Sequence, residues 1–164
     1  MAKYSLLVDI DLCIGCQACE IACKQENDVA VGIRWVQVVQ VGPKEVGGKL
    51  SMSFIPMRCK HCAKPACMDA CPTEAITQRT DGIVEINPSL CTGCKACIEA
   101  CPFGAPQLNP ETDTVEWCTM CVHRVDKGLE PACVLACPTG AIDFGNTNRL
   151  SELKREKYAQ SLVG

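Results

Sequence analysis

The sequence predicts an α+β chain made of two interleaved modules, one inserted in the other, with a β-hairpin extension. Three observations carry that prediction. Sixteen cysteines in 164 residues fall into four groups of four. Short strand-like segments flank the first and last groups, and a turn followed by alternating residues separates the middle two. Leu, Ile, Val and Phe together number only 38, lean for a chain this long, so something besides aliphatic packing must help hold it together.

Taken in order, Ser5 to Ile10 reads as a strand leading into Cys13, Cys16, Cys19 and Cys23, spaced C-x2-C-x2-C-x3-C. Residues 24–58 form the longest spacer between groups. Within it, Val36 to Val41 and Leu50 to Ile55 read as two strands, joined across Gly42-Pro43 and Gly47-Gly48, a hairpin extension suited to docking. Cys59, Cys62, Cys67 and Cys71 follow as C-x2-C-x4-C-x3-C, then Pro72. Asp81-Gly82 marks a hairpin turn before an alternating strand. Cys91, Cys94, Cys97 and Cys101 repeat the first spacing and precede Pro102, while Cys118, Cys121, Cys133 and Cys137 read C-x2-C-x11-C-x3-C and precede Pro138. Ala141 to Phe144 is a last strand. The tail carries Leu150, Leu153, Tyr158 and Leu162, which predicts an amphipathic helix lying on the body.

Composition excludes several classes. No stretch approaches the ~20 apolar residues of a spanning helix. A net charge of −3 is unlike a nucleic-acid footprint, and the modest, dispersed charge is unlike a disordered chain. Met1 to Ile10 lacks the apolar run and cleavage site of a secretory signal, and no twin-arginine pair is present. A cytoplasmic setting is therefore expected, and in a reducing compartment such cysteines bind metal rather than form disulfides.

Spacing names the metal chemistry. Three closely spaced thiolates can wrap one cubane, and a fourth on the next helical turn points to another site, which is the bacterial ferredoxin signature. The Pro after it stops the helix and turns the chain back. Structural zinc prefers two C-x2-4-C knuckles meeting in a tetrahedron, and three cysteines within seven residues, found twice with only two histidines present, fit it poorly. Four complete sets with none left over predict four [4Fe-4S] clusters.

Residues 59–105 have the form of one complete two-cluster ferredoxin. The strand-like flanks place residues 1–23 and 106–145 in a second ferredoxin-like module that has been opened to receive the first. Residues 24–58 are then the hairpin and linker insertion, and 146–164 the helical tail. Nesting pairs Cys13, Cys16 and Cys19 with Cys137, and Cys118, Cys121 and Cys133 with Cys23. It pairs Cys59, Cys62 and Cys67 with Cys101, and Cys91, Cys94 and Cys97 with Cys71. A rival pairing of group one with two and three with four stays open, but leaves the flanking strands unexplained.

The segments beginning Cys13-Ile14-Gly15-Cys16, Cys59-Lys60-His61-Cys62, Cys91-Thr92-Gly93-Cys94 and Cys118-Thr119-Met120-Cys121 carry a resemblance. Over about residues 4–145 the chain resembles the four-cluster, DMSO-reductase-β-type electron-transfer subunits of molybdenum and tungsten enzymes. The resemblance implies four cubanes in the nested arrangement. As partner it implies a catalytic molybdenum or tungsten pterin subunit of the aldehyde oxidoreductase or DMSO reductase kind. A flavin-containing or other redox subunit and further copies of the chain are additional candidates. The short loops are similar to those of compact polyferredoxin subunits serving tungsten aldehyde oxidoreductases.

Around the motifs, Gly15 and Gly93 are expected to let backbone approach the clusters. Ile14, Ile21, Ile76, Ile98, Val134 and Ile142 are candidates to pack against them. His61 and His123 are assigned surface or hydrogen-bonding roles, because no iron lacks a cysteine, and Trp35 and Trp117 are assigned packing roles. Lys24, Arg58, Lys60, Lys64, Lys95 and Arg124 lie near the motifs, where cations offset buried negative charge. No P-loop, dinucleotide turn or catalytic triad is present. The expected function is therefore non-catalytic electron transfer within an oxidoreductase complex, with a free polyferredoxin as the alternative.

Overall fold

Four antiparallel strand pairs carry the cysteine loops in a computed structural model that describes residues 4–163. Residues 1–3 and 164, which the sequence assigns to the outer module and the tail, lie outside the described residues. β1 (Tyr4–Val8) pairs with β8 (Ile142–Asn146), so the first and last strands are neighbours. Leu6 faces Phe144 and Val8 faces Ile142, and the Tyr4 and Phe144 rings stack with centroids 5.2 Å apart. Such cross-strand aromatic pairs add to sheet stability beyond area alone.

Helix α1 (Ala18–Asn27) follows the first loop, and its inward face presents Cys19 and Cys23, one turn apart. The same periodicity turns Ile21 away: it is 57% exposed rather than packed on a cluster. β2 (Val36–Val46) and β3 (Lys49–Arg58) form the long hairpin, with an irregularity between Val41 and Lys44 that absorbs Gly42-Pro43. Its base is buried at Val36 and Arg58, and its tip is exposed. Glu20 of α1 ties the hairpin down by accepting the Val38 amide.

Four single-turn helices follow the later loops: α2 (Ala66–Asp69), α3 (Ala96–Ala100), α4 (Val122–Val125) and α5 (Ala132–Leu135). Pro72, Pro102 and Pro138 fall shortly after α2, α3 and α5, where no further turn can form. β4 (Ile76–Gln78) and β5 (Val84–Ile86) make the hairpin expected around Asp81-Gly82. A second short hairpin, β6 (Gln107–Leu108) with β7 (Val115–Glu116), has no counterpart in the sequence reading. Val115 and Trp117 pack with Ile76, Val84 and Cys97, so residues 107–117 lie against the 59–105 segment.

Helix α6 (Thr147–Ser161) is capped by the Asn146 side chain, which accepts the Arg149 amide at 2.9 Å. Leu150 is buried against the β1–β8 pair, and Lys157 reaches Asp143 and Asp9 at 3.1 and 3.5 Å. Beyond that the stripe fails: Tyr158 and Leu162 stand in solvent, so only the first half of the helix packs. Among the described residues no helix is long and apolar enough to cross a membrane.

Candidate iron–sulfur centres

Cysteine itself builds the core. One buried group joins Cys19, Cys23 and Cys133 with Val36 and Ile142, and a second joins Cys97 with Ile76, Val84, Val115 and Trp117. The thin aliphatic count is thus made up by sulfur.

The fold gathers the cysteines in fours. A cavity beside α1 is walled by Cys13, Cys16, Cys19 and Cys137, with Ile14 and Ile142 also at its wall. Ile142 is buried there, whereas Ile14 is 61% exposed and forms the rim. A second cavity is walled by Cys59, Cys62, Cys67 and Cys101. Burial pushes the Cys23 thiol up steeply, and the charges of Cys118, Cys133 and Cys121 push it further. Burial pushes Cys97 up to about 11, with Cys67, Cys91 and Cys71 adding to it. Both cavities therefore gather cysteines from two distant stretches of chain, and Cys23 lies among thiols of the last group.

These thiols repel one another as thiolates: burial and neighbouring cysteines hold Cys59 and Cys133 up at about 12. A bound cation reverses that balance, since a metal deprotonates its thiol ligands outright. Among the described residues no three His, Cys, Asp or Glu side chains converge on a point suited to a single metal ion. The sulfurs stand around volumes instead, as an iron–sulfur cubane requires and a lone zinc with ~2.3 Å bonds does not.

Hydrogen-bond donors point the same way. The His61 and Met120 amides each donate to the sulfur two residues earlier, Cys59 and Cys118, at 3.4 Å, and the Ala141 amide donates to Cys137 at 3.2 Å. Val115 of β7 donates to Cys91 at 3.4 Å. Thr73 and Thr139 place hydroxyls 3.6 and 3.7 Å from Cys71 and Cys137. Burial alone would raise these two thiols, but the hydroxyls and nearby backbone amides outweigh it and hold them below the usual value. Trp35 Nε1, Arg58 Nε and Nη1 and His61 Nε2 are buried without a partner, and all lie in or beside the cysteine-rich core. Buried donors are rarely left orphaned, so an acceptor such as cluster sulfur fits these positions.

The two loop glycines act by close approach. Gly15 and Gly93 both have positive φ; a Cβ on Gly15 would come 2.5 Å from the Phe54 ring, and one on Gly93 would collide with the Asp113 carbonyl. His61 takes the hydrogen-bonding role rather than the surface one: it is 8% exposed, and its Nδ1 accepts the Val84 amide at 2.9 Å. That bond leaves the hydrogen on Nε2 in the neutral ring. His123 is exposed and pairs with Glu26 at 2.7 Å. Trp117 is buried and donates to the Val84 carbonyl at 3.2 Å. Nothing in the sequence marks these Val84 contacts, because they join segments brought together only by folding.

A family model described as a 4Fe-4S dicluster domain matches residues 50–147, and another of the same description matches residues 12–75. The chain belongs to the 4Fe-4S dicluster family. With two such domains and sixteen cysteines it carries four [4Fe-4S] clusters. Members similar to it include the B component of the polysulfide reductase of Wolinella succinogenes, 43% identical over 88% of this chain and 76% of the relative. The thiosulfate reductase electron transfer subunit PhsB of Salmonella typhi is 41% identical, over 93% of this chain and 80% of the relative. The iron–sulfur subunit of the nitrate-inducible formate dehydrogenase of Escherichia coli K12 is 40% identical over 97% of this chain. The chain spans about three fifths of the length of the formate dehydrogenase subunits it matches.

Proposed function

We propose that this chain is the electron-transfer subunit of a molybdenum or tungsten pterin oxidoreductase, relaying electrons between the catalytic subunit and a second redox partner. Its relatives are named as parts of polysulfide, thiosulfate and formate oxidoreductases, which supports that setting. A reducing, cytoplasmic compartment is part of this reading.

The ligand sets in this reading are nested. Cys13, Cys16, Cys19 and Cys137 hold one cluster, and Cys23, Cys118, Cys121 and Cys133 hold its neighbour. Cys59, Cys62, Cys67 and Cys101 hold a third, and Cys71, Cys91, Cys94 and Cys97 the fourth. The β1–β8 pair supports interleaving, since it brings together the strands that flank the first and last quartets. The inner module in this reading runs on to residue 117, because β6–β7 packs on it.

Each cluster, when bound, supplies a one-electron redox centre whose potential the protein sets. In this reading the chain's residues bury one centre, leave the Cys59, Cys62, Cys67 and Cys101 set half-buried, and present two. The observation that carries a through-route is exposure: Cys16 and Cys94 are the exposed cysteines, whereas Cys23, Cys118, Cys121 and Cys133 are all buried. Cys59 feels the charge of Cys118, which links the two modules across the middle. Partners then dock near Cys16 and near Cys94, and the enclosed Cys23, Cys118, Cys121 and Cys133 set keeps water from the middle of the route.

Purification from the native source tests this. A stoichiometric pterin-bearing subunit should accompany the chain, and that enzyme's substrate should change the redox state of all four centres, reducing them if it is an electron donor and reoxidising the prereduced centres if it is an acceptor. A free chain with no pterin partner, exchanging electrons with several soluble acceptors, would overturn it.

A further inference from the structure

Arg58 ends β3 one residue before Cys59, and in the hairpin register it faces Val36. Val36 packs with Cys19, Cys23 and Cys133. Arg58 is 5% exposed, and its Nε and Nη1 have no hydrogen-bond partner. Among the described residues every ion pair uses another cation: Glu20 takes Arg34, Glu26 takes Arg124 and His123, Asp81 and Asp126 take Arg79, and Asp9 and Asp143 take Lys157. A guanidinium cannot escape by losing its proton. An unpaired buried ion is strongly destabilising, so a counter-charge belongs within reach of it. Its field reaches the Cys118 and Cys133 thiols, where it favours the thiolate.

We propose that Arg58 is the built-in counter-ion of the cluster held by Cys23, Cys118, Cys121 and Cys133, and that it raises that cluster's reduction potential above those of the other three. The proposal rests on the nested ligand reading. A cubane core with four thiolates carries about −2 when oxidised and about −3 after accepting one electron. A fixed cation stabilises the more negative form more, so reduction becomes easier. Of the six cations near the motifs, Lys24 is bound to the Ala30 carbonyl and Arg124 to Glu26, which leaves Arg58 as the buried one without an acidic partner among the described residues. Its place beside Cys59 puts the charge at the junction of the two modules, so it would make the enclosed second site the resting place of an electron in transit.

The test is an EPR-monitored redox titration of the whole complex, comparing wild type with Arg58→Met and Arg58→Lys. The signal altered by Cys23→Ser marks the cluster concerned. Arg58→Met should lower the equilibrium constant for reducing that one site about tenfold, which is about 59 mV for a one-electron couple. Arg58→Lys should recover most of the loss, with iron and sulfide content unchanged. Equal potentials in wild type and Arg58→Met, equal shifts at all four sites, or a lysine variant as low as methionine would overturn the proposal. So would a potential that follows added phosphate, which would make a solvent anion in the cavity that Arg58 lines with Arg34 and Gln107 the counter-ion. If Arg58→Met fails to assemble, wild type labelled with 15N at the arginine guanidinium decides: spin-echo spectroscopy should find a 15N coupling on that reduced signal, and its absence rejects Arg58. If Cys23→Ser alters the Cys13–Cys19 signal instead, it is the ligand reading that fails.

Discussion

Cys23 and Cys121, from the first and fourth quartets, share one donor: Asn27 Nδ2 lies 3.7 Å from the Sγ of each. The amide is held in place by its own helix, donating to the Cys23 carbonyl at 2.9 Å. A donor to ligand sulfur favours the reduced, more negative cluster. Asn27→Ala should therefore lower one potential of four by ~20–40 mV, the equivalent of about 0.5–1 kcal/mol for one electron. Asn27→Asp, which puts a negative charge there, should lower it further. EPR-monitored titration of each variant checks both outcomes.

The same relationship makes Cys23→Ser diagnostic. Cys23 follows Cys19 on α1, yet the thiols that press on it most are Cys118, Cys133 and Cys121. The substitution should alter the EPR signal and stability of the cluster bound by the fourth quartet, leaving the Cys13–Cys19 signal intact. Cys137→Ser should do the reverse. A loss confined to the first quartet in Cys23→Ser would show that the quartets do not exchange ligands.

Gly93 and Gly15 occupy equivalent loop positions but should differ in tolerance. At Gly93 an added Cβ meets the Asp113 backbone, which cannot move without displacing the β6–β7 turn, and φ is +65°. At Gly15 it meets the Phe54 ring, the end of a side chain that can rotate away. Left-handed backbone costs about 1–2 kcal/mol for alanine at either place. Gly93→Ala should add a steric penalty and lose the Cys91–Cys97 cluster, read as a fall of about one quarter in iron per chain. Gly15→Ala should keep all four clusters and melt slightly earlier.

Iron removal should unfold the chain. Cysteine makes up much of two of the three buried groups, and no aliphatic mass replaces it. Without the clusters, quartets such as Cys13, Cys16, Cys19 and Cys137 would surround empty volume, and cavities of that kind forfeit packing energy. Oxidation with chelation should abolish the cooperative melt and much of the far-ultraviolet dichroism. Anaerobic iron and sulfide should restore them. An apoprotein with the native spectrum would contradict this.

What the sequence made legible was whatever is periodic. The quartets, the Ser5 and Ala141 strands, the Val36 and Leu50 hairpin and the Asp81-Gly82 turn are all local patterns. β6 and β7 were not legible, because each is two residues long and no alternation can show in two residues. The burial of His61 was hidden for another reason: it depends on Val84, which meets it only in the folded chain. Ile21 misled because apolar character near a ligand does not fix the helix face it occupies. Arg58 looked like five other nearby cations until its burial separated it from them.

Arg79 and Asp126 tie together two stretches of chain 47 residues apart. Arg79, in the turn between β4 and β5, binds Asp126 after α4 with two bonds of 2.6 and 3.1 Å, and reaches Asp81 at 2.9 Å. Hydrogen bonds from Arg79 hold the Asp126 carboxyl below the usual carboxylate range. A carboxylate depressed on folding contributes stability that is complete above its unfolded value and is lost as pH falls through the folded one. The difference in melting temperature between wild type and Asp126→Asn should therefore be the same at pH 8 and pH 5, and shrink only below about pH 4. Asp126 is half exposed, so added salt should reduce the difference at every pH. A gap that widened between pH 8 and 5 would mean that some other group, titrating near neutrality, controls the contact between Arg79 and Asp126.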